Sequence, residues 1–497
     1  MTGERLTYRF GPLERRGILG QIRGGQAAMV AAGTLAAIIV LDSAPTAVGA
    51  SLGTLLLAGS LVVAFAPVGR RTIDEWIPVG LSFGLRLAAG RLSFRSRAPA
   101  GGILAAEHAG PSRRRLTHPR ADAPAALKGV RIVAAPYRDR PIGILSEHRG
   151  RRLTAVIACR VLAFSLLDAE AQERRLAGWG LVLAGTAAGV VRRIQWIERT
   201  APAQGDELAR WLHDERDPGV PLRGTPIIES YLELIGTTTK ATQEHEVLIA
   251  VQIDARRVAG HEPAATALIE QTERVVQGLE AAEVTVLGAL GPGQLARTLR
   301  TAFDPYARAE LAAVEATEPS RDGLAEANAW PLGARENWEH YCSDGAAHAT
   351  FWIGGWPRVD VSPMFMDALL GRSNLVRTVA VTFEPIAPGR STREAEAAVT
   401  RDRADRELRH RFGQAETARQ RQAQEAAVRR EAELAAGHAE VRLAGFVTVS
   451  GRDRDDLRHA CSEIHGHAAR ARLELHRMYG QQAEAFAFTL PLCRGLR

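Results

Sequence analysis

The residue types most suited to chemistry gather in "HACSEIHGH", which holds His459, Cys461, His465 and His467. Thiolate and imidazole are common zinc ligands. Cys461 and His465 stand four residues apart, one helical turn, so a helix would let both reach one metal ion. A second reading fits the same stretch better. Leu457, Cys461, Ile464, Ala468, Ala471, Leu475 and Met478 make one apolar stripe at helical spacing, which places Cys461 in a core and turns His459 and His467 elsewhere. No metal site is assigned on this basis.

"GASLG", Gly49 to Gly53, fits the GxSxG nucleophile-elbow pattern, but that motif needs a strand-to-helix turn. Here it opens an apolar run, where small residues let two helices approach closely. There is no GxxxxGK[ST], and neither lysine (Lys128, Lys240) follows a glycine, so a phosphate-cradling loop is not expected. HExxH and paired CxxC are missing too. Carboxylates are plentiful, but spacing alone does not bring two together. The sequence assigns no catalytic, cofactor-binding or metal residue, and the reading is of a non-enzyme. The four cysteines form no CxxC pair and suit reduced thiols.

The elements around these residues begin with an uneven charge. The chain of 497 residues carries a net +7, yet residues 1–120 hold 15 Arg against 6 Asp and Glu, while the remainder is close to neutral. A nucleic-acid binder more often spreads its charge over a folded face with aromatics between, and no direct nucleic-acid site is evident. Here the excess flanks apolar segments, which points to the lipid bilayer.

Gly24 to Leu41 and Ala47 to Ala66 carry no charge, and as helices each spans about 27–30 Å, enough to cross the hydrocarbon core. Asp42, Ser43 and Pro45 make a polar turn between them. Arg5, Arg9, Arg15, Arg16 and Arg23 precede this hairpin and Arg70 and Arg71 follow it, so the basic-residue rule puts both termini in the cytoplasm and the turn outside the inner membrane. The rival is a twin-arginine export signal at "RRGIL" (Arg15 to Leu19); the second apolar run and the basic residues after it argue against cleavage. In "RRTIDEWIPVGLSFGLRLAAGRLSFRSR", Trp76 suits the headgroup level, Pro78 is expected in the first turn of a helix, and Arg86 interrupts a run too short to be a third crossing. An interfacial helix is expected. Residues 98 to 126, rich in Pro, Gly, Ala and Arg, read as a linker whose Arg113–Arg115 is either solvated or set against anionic lipid.

From 130 onward "RIVAA", "IGILSE" and "LTAVIACR" read as a strand meander. A helix opens at Asp168, and strands follow around Ile194–Ile197 and over 245–254. "PAATALIEQTERVVQGLEAA" is an amphipathic helix, "EVTVLGAL" a strand and "GPGQLARTLRTAFDP" a short helix. "ATFWIGGWP" and 374–385 are strands. Without a regular βαβ beat, the fold class is α+β. Residues 391–440 are Arg, Glu, Ala and Gln with few large apolar residues, a helical pair broken near Gly413 and laced by pairs such as Asp402–Arg406 and Glu425–Arg429. It is either a solvated hairpin or an arm that grips a partner. After it come a strand at "EVRLAGFVTVSG", a helix over Asp455 to Tyr479, and a strand at "AEAFAFTLPL", making a small sheet with a helix on one face. The organisation expected is a transmembrane hairpin over 1–70, an interfacial helix over 71–97, a linker over 98–126, an α+β region over 127–389, a charged helical hairpin over 390–440, and a C-terminal β–α–β over 441–497.

The hairpin followed by "TIDEWIP", with Asp74, Glu75, Trp76 and Pro78, resembles the PrgI-like small membrane subunits of type IV secretion systems over about the first 90 residues. The body resembles the N-terminal domain of conjugative ATPases of the TrbE/CagE class through the order of "SLLDAEAQERRLAGWGLVL", "RRIQWIER", "EHEVLIAVQID", "LARTLRTAFDP", "FEPIAP" and "GFVTVSG…RMYGQQAEAFAFTLPLCRGL". In that class the stretch like "TLPL" leads into the motor, so this chain is expected to stop where the nucleotide domain would begin. The architecture as a whole is similar to actinobacterial membrane proteins that accompany a separate motor. The resemblance implies a non-catalytic inner-membrane subunit whose partners are a separate TrbE-like motor ATPase and other secretion-channel membrane subunits. An EccE-like subunit of type VII secretion and an independent membrane-bound enzyme are the alternatives.

Overall fold

The computed structural model describes residues 24–68, 71–96, 123–160, 164–187, 189–202, 226–227, 229–230, 243–258, 263–308, 329–357, 359–371, 373–387 and 439–496, with isolated positions between 389 and 432. The charged stretch 390–440 and the linker 98–126 fall almost wholly outside these residues. The chain forms two compact units, a helical one within residues 11–92 and a sheet unit that begins at Ser93.

The helical unit contains α1 (Gly24–Ser43) and α2 (Ala47–Phe65), then a two-strand ribbon of β1 (Pro67–Val68) and β2 (Arg71–Thr72), then α3 (Ile73–Ala88). Both α1 and α2 are long and apolar enough to cross a membrane. Their outward surfaces are apolar, with Leu35, Ile38, Leu55 and Val62 all more than half exposed. The inward surfaces are small: a Cβ at Gly33 would overlap Ser60, and one at Gly53 would press on the Ala37 carbonyl. In α3 the Glu75 carboxylate accepts from the Thr72 backbone N–H at 3.4 Å and starts the helix. Pro78 does not sit in the first turn as expected but inside the helix, where its missing N–H removes one main-chain bond. Ile77, Leu81 and Leu85 recur every four residues and remain exposed as one stripe.

The sheet unit is α+β, as the sequence indicates, but its strands join into one sheet. Its elements in order are β3 (Ser93–Arg95), a short turn at Ala125–Leu127, β4 (Arg131–Ala135), β5 (Ile142–Glu147), β6 (Arg152–Arg160), α4 (Ala169–Thr186), β7 (Val191–Pro202), β8 (Gln243–Asp254), α5 (Ala264–Ala281), β9 (Thr285–Ala289) and α6 (Pro292–Phe303). There follow β10 (Gly333–Glu336), β11 (Tyr341–Ser343), β12 (Ala346–Gly355), α7 (Asp367–Leu370), β13 (Val376–Pro385), β14 (Val441–Gly451), α8 (Arg454–Arg470), β15 (Glu474–Arg477) and α9 (Gln482–Phe488). Among the described residues thirteen strands pair in the order β3-β10-β11-β12-β14-β13-β7-β8-β6-β5-β4, with β15 on β12 and β9 on β6.

This order contains a duplication. The first half runs β4-β5-β6-α4-β7-β8-α5-β9-α6 and the second β10-β11-β12-α7-β13-β14-α8-β15-α9. Each half makes the same antiparallel pairings: β5 with β6 as β11 with β12, β6 with β8 as β12 with β14, β8 with β7 as β14 with β13. The last strand of each half returns to the third, β9 on β6 and β15 on β12, and both returns carry a register shift. The halves meet where β7 and β13 pair antiparallel, Arg377 opposite Thr200 and Phe383 opposite Ile194. An antiparallel junction between equivalent strands implies an approximate two-fold axis through it. The two long connections, after Pro202 and after Pro385, therefore leave from opposite ends of the strands.

Side-chain alternation gives the sheet two covered faces. On one, Ile144, Ile157, Ile194, Ile249 and Val251 pack under α4 and α5, and Phe351, Val379, Val447 and Val449 pack under α8. On the other, Leu145, Val156, Ile197, Leu248 and Ala380 share one core with α6, α9 and the C-terminal tail. Asp168 caps α4, accepting from the Ala171 N–H at 2.7 Å, and Asp453 caps α8, accepting from Asp455 and Asp456 at 2.8 and 2.9 Å. Helices α4 and α5 cross closely at Gly178, where an added Cβ would lie 2.5 Å from the Ala282 Cβ and 2.9 Å from its Cα. Gly178→Ala is therefore expected to destabilise the unit by about 1–3 kcal/mol of overpacking, more than the helix propensity it gains. A lowered thermal midpoint checks this.

Two expectations for the C-terminal region need correction. The helix over Asp455 to Tyr479 ends at Arg470: Arg472 takes a left-handed backbone (φ +56°) and the chain returns as β15. Ala471 and Leu475 still join the α8 core, which is why a helical stripe ran through them, and Leu473 joins it too. The strand expected at "AEAFAFTLPL" is instead α9 followed by an irregular tail, so the region is not a small sheet with one helix but the completion of the large one. Ala, Gln and Glu favour a helix there, and the apolar alternation arises because Ala485, Phe486 and Ala487 are all buried.

Candidate functional site

The histidine and cysteine cluster is dispersed around α8. Cys461 is buried and receives a long contact from an Arg477 guanidinium nitrogen at 3.7 Å. His465 meets the Phe351 ring edge-on at 5.0 Å, and His467 lies 3.4 Å from Glu463. Among the described residues no group of three or more His, Cys, Asp or Glu is arranged to hold a metal ion. Ser51 of "GASLG" lies within α2 and donates to the Val48 carbonyl at 2.8 Å, so no strand-to-helix elbow exists there. The four thiols are free, and burial pushes Cys159 up to about 12 and raises Cys493 further, which leaves both unreactive.

The groups that do converge were not singled out by sequence. The first set is a buried polar band on the face shared with α9. The tail Thr489–Leu496 crosses the middle of the sheet there without regular structure, so its backbone groups need side-chain partners. Gln195 donates to the Phe488 carbonyl at 2.7 Å and accepts from the Cys493 N–H at 2.8 Å. Gln252 donates to the Leu492 carbonyl at 3.0 Å, and Thr382 to that of Arg494 at 3.0 Å. Arg193 pairs with Glu384 at 2.7 Å and donates to the Leu496 carbonyl at 2.9 Å. Arg494 reaches Glu147 and donates to the Ala126 carbonyl at 2.7 Å. Gly495 has φ +96°, and a Cβ there would sit 2.4 Å from the Phe446 ring, so only glycine fits. The band ties the first half (Glu147, Gln195, Gln252) to the second (Thr382, Glu384) through the tail.

At the second half's end of the band, His348 is fully buried. Its Nε2 lies 3.0 Å from the Phe303 carbonyl, which fixes the proton there, and Nδ1 accepts from Ser450 Oγ at 2.8 Å. Burial lowers His348 to about 4. This arrangement holds structure and is closed to substrate.

The open site is a cleft of about 150 Å³ at one end of the first half, lined by His148, Arg151, Arg152, Arg192 and Asp254. The β5–β6 turn, with His148 and Arg149 in left-handed backbone (φ +50° and +60°) and closed by the Gly150 N–H donating to the Glu147 carbonyl at 3.1 Å, brings His148 to its wall. Arg192 is the extra residue of a β-bulge, since Val191 opposes Ile253 and Arg193 opposes Gln252. Its ion pair with Asp254 spans 3.8 Å. Desolvation lowers Arg192, and Arg152 and Arg193 lower it further; burial and Arg152 likewise lower His148. The cleft has basic character and no nucleophile–base pair. A second groove, between α4 and α5, is lined by Gly178, Leu181, Val182, Val275 and Gly278 and is apolar.

No protein-family model and no curated protein matches this chain.

Proposed function

We propose that the chain is a non-catalytic, membrane-anchored subunit of a type IV-like secretion or DNA-transfer machine, which docks a separate TrbE-like motor ATPase beside other channel subunits. The observation that carries the reading is the pair α1 and α2, 20 and 19 residues long, whose one acidic or basic residue is Asp42 at the end of α1, apolar on their outer surfaces and close-packed through glycine. Such a pair is a hairpin built for lipid contact on the outside. The arginines on either side of it, set against the uncharged Pro45–Ala50 that follows the turn, support a cytoplasmic sheet unit at an inner membrane. The exposed Ile77–Leu81–Leu85 stripe of α3 supports a helix lying in the membrane interface. A broad sheet covered on both faces and a cleft without a nucleophile–base pair suit a scaffold.

Affinity purification of the tagged chain from solubilised membranes of its native host tests the reading. Co-recovery of a P-loop ATPase of the TrbE class is expected. Recovery of EccB, EccC and EccD would instead make it a type VII subunit, and recovery of no secretion component would overturn both.

A further inference from the structure

The duplication supplies an internal control for the basic cleft. Each central strand opens on Val-Arg: Val191-Arg192 in β7 and Val376-Arg377 in β13. In the second half, Arg377 is buried with its acceptors built in. It donates to the carbonyls of Leu370 and Gly371 at 2.6 and 2.8 Å, where α7 ends, and reaches Ser373 Oγ. In the first half the longer helix α4 stands at that place and ends at Thr186, and among the described residues no helix-end carbonyl accepts from Arg192. Arg192 there is turned out by the bulge, and the nearest carboxylate, Asp254, lies beyond hydrogen-bond distance at 3.8 Å.

The surroundings add cations. Arg151 and Arg152 line the same cleft, with His148 at its wall. The other two carboxylates nearby are engaged: Glu147 by Arg494, and Glu384 by Arg193. Three guanidinium groups thus share one carboxylate, which leaves a surplus of two positive charges in a partly desolvated space. Gathering like charges is unfavourable unless an anion joins them. Two positive charges match a phosphate monoester dianion, whose tetrahedral oxygens suit several planar forks at once.

The geometry points to this cleft as a binding site for a phosphate group, held by Arg151, Arg152 and Arg192 and walled by His148 and Asp254. The inference stands apart from the secretion reading and survives its failure. The phosphate can belong to a soluble nucleotide or to a lipid headgroup, since both present the same group.

The full chain in neutral detergent, titrated with inorganic phosphate against chloride at matched ionic strength, tests the site by calorimetry and thermal unfolding. Phosphate is expected to bind and to raise the unfolding midpoint. R152Q/R192Q is expected to weaken binding at least about tenfold, the loss of one or more charge-assisted contacts. Without phosphate the double variant should melt at the wild-type temperature or above it, because the like charges are relieved. Equal phosphate effects in both proteins, or none in the wild type, would overturn the proposal. So would a lowered midpoint of the variant in chloride, which would mark the arginines as purely structural. ADP and short-chain phosphatidic acid, titrated in turn, separate the sources: tighter binding of ADP assigns a soluble ligand, and tighter binding of phosphatidic acid assigns a headgroup.

Discussion

Replacing Arg494 by alanine is expected to destabilise the sheet unit by about 3–5 kcal/mol, because it leaves the Glu147 carboxylate buried without its charge partner. Glu147 is only 1% exposed, at the end of β5 in the first half, while Arg494 lies on the tail that leaves the second half. The same side chain donates to the Ala126 carbonyl at 2.7 Å, so truncation also strips a main-chain acceptor of its partner. Global stabilities are of similar size to this loss, so the variant should accumulate poorly or melt at a much lower temperature. Replacing both partners by apolar residues, Glu147→Leu with Arg494→Met, should restore most of the stability, since desolvating the pair costs nearly as much as it returns. Thermal unfolding of the full chain in detergent, wild type against single and double variants, measures both. A single variant as stable as the wild type would show that the tail does not clasp the two halves.

The second large effect is a dependence on pH. His348 is buried and neutral, and burial lowers it to about 4 against an unfolded value near 6.5. Between those values the unfolded chain binds the proton and the folded chain does not. Stability from this group is therefore complete above about pH 6.5, falls as the pH drops, and is flat again below about 4. The difference amounts to on the order of 3 kcal/mol. Burial also lowers His340 and His467, with the same sign, so the slope of the wild type alone does not isolate His348. The comparison is with His348→Gln, which keeps a donor and an acceptor near Phe303 and Ser450. Its stability should fall less than that of the wild type between pH 7 and pH 5 by denaturant titration. Equal slopes would place the proton elsewhere.

Much of the local structure was legible in the residues. Uncharged runs of about twenty residues produced α1 and α2 almost to the residue, because a helix satisfies the backbone of a long apolar run within the run itself. Short β-type runs bounded by turn or basic residues gave β5, β6, β8, β13 and β14, and the capping Asp168 gave the start of α4. The stripe that made Cys461 a core residue instead of a metal ligand held as far as Arg470.

What the sequence could not carry was pairing. Strand partnership depends on residues far apart in the chain, and the two halves share little beyond a Val-Arg opening and a closing proline on β7 and β13, so the duplication is visible only in the register. For the same reason Gln195, Gln252 and Thr382 read as ordinary polar positions in strands. Their role appears once the irregular tail is laid across them, since a backbone without its own ladder must borrow donors and acceptors from side chains. The basic cleft follows the same logic: Arg151, Arg152 and Arg192 are scattered charges in the sequence, and only a bulge and a left-handed turn bring them to one place. The sequence by itself determined which segments are greasy, which are strands and where helices start, because those depend on neighbours within a few residues. The tertiary structure decided how the halves join, what the tail satisfies and where cations gather, because each depends on groups some forty or more residues apart.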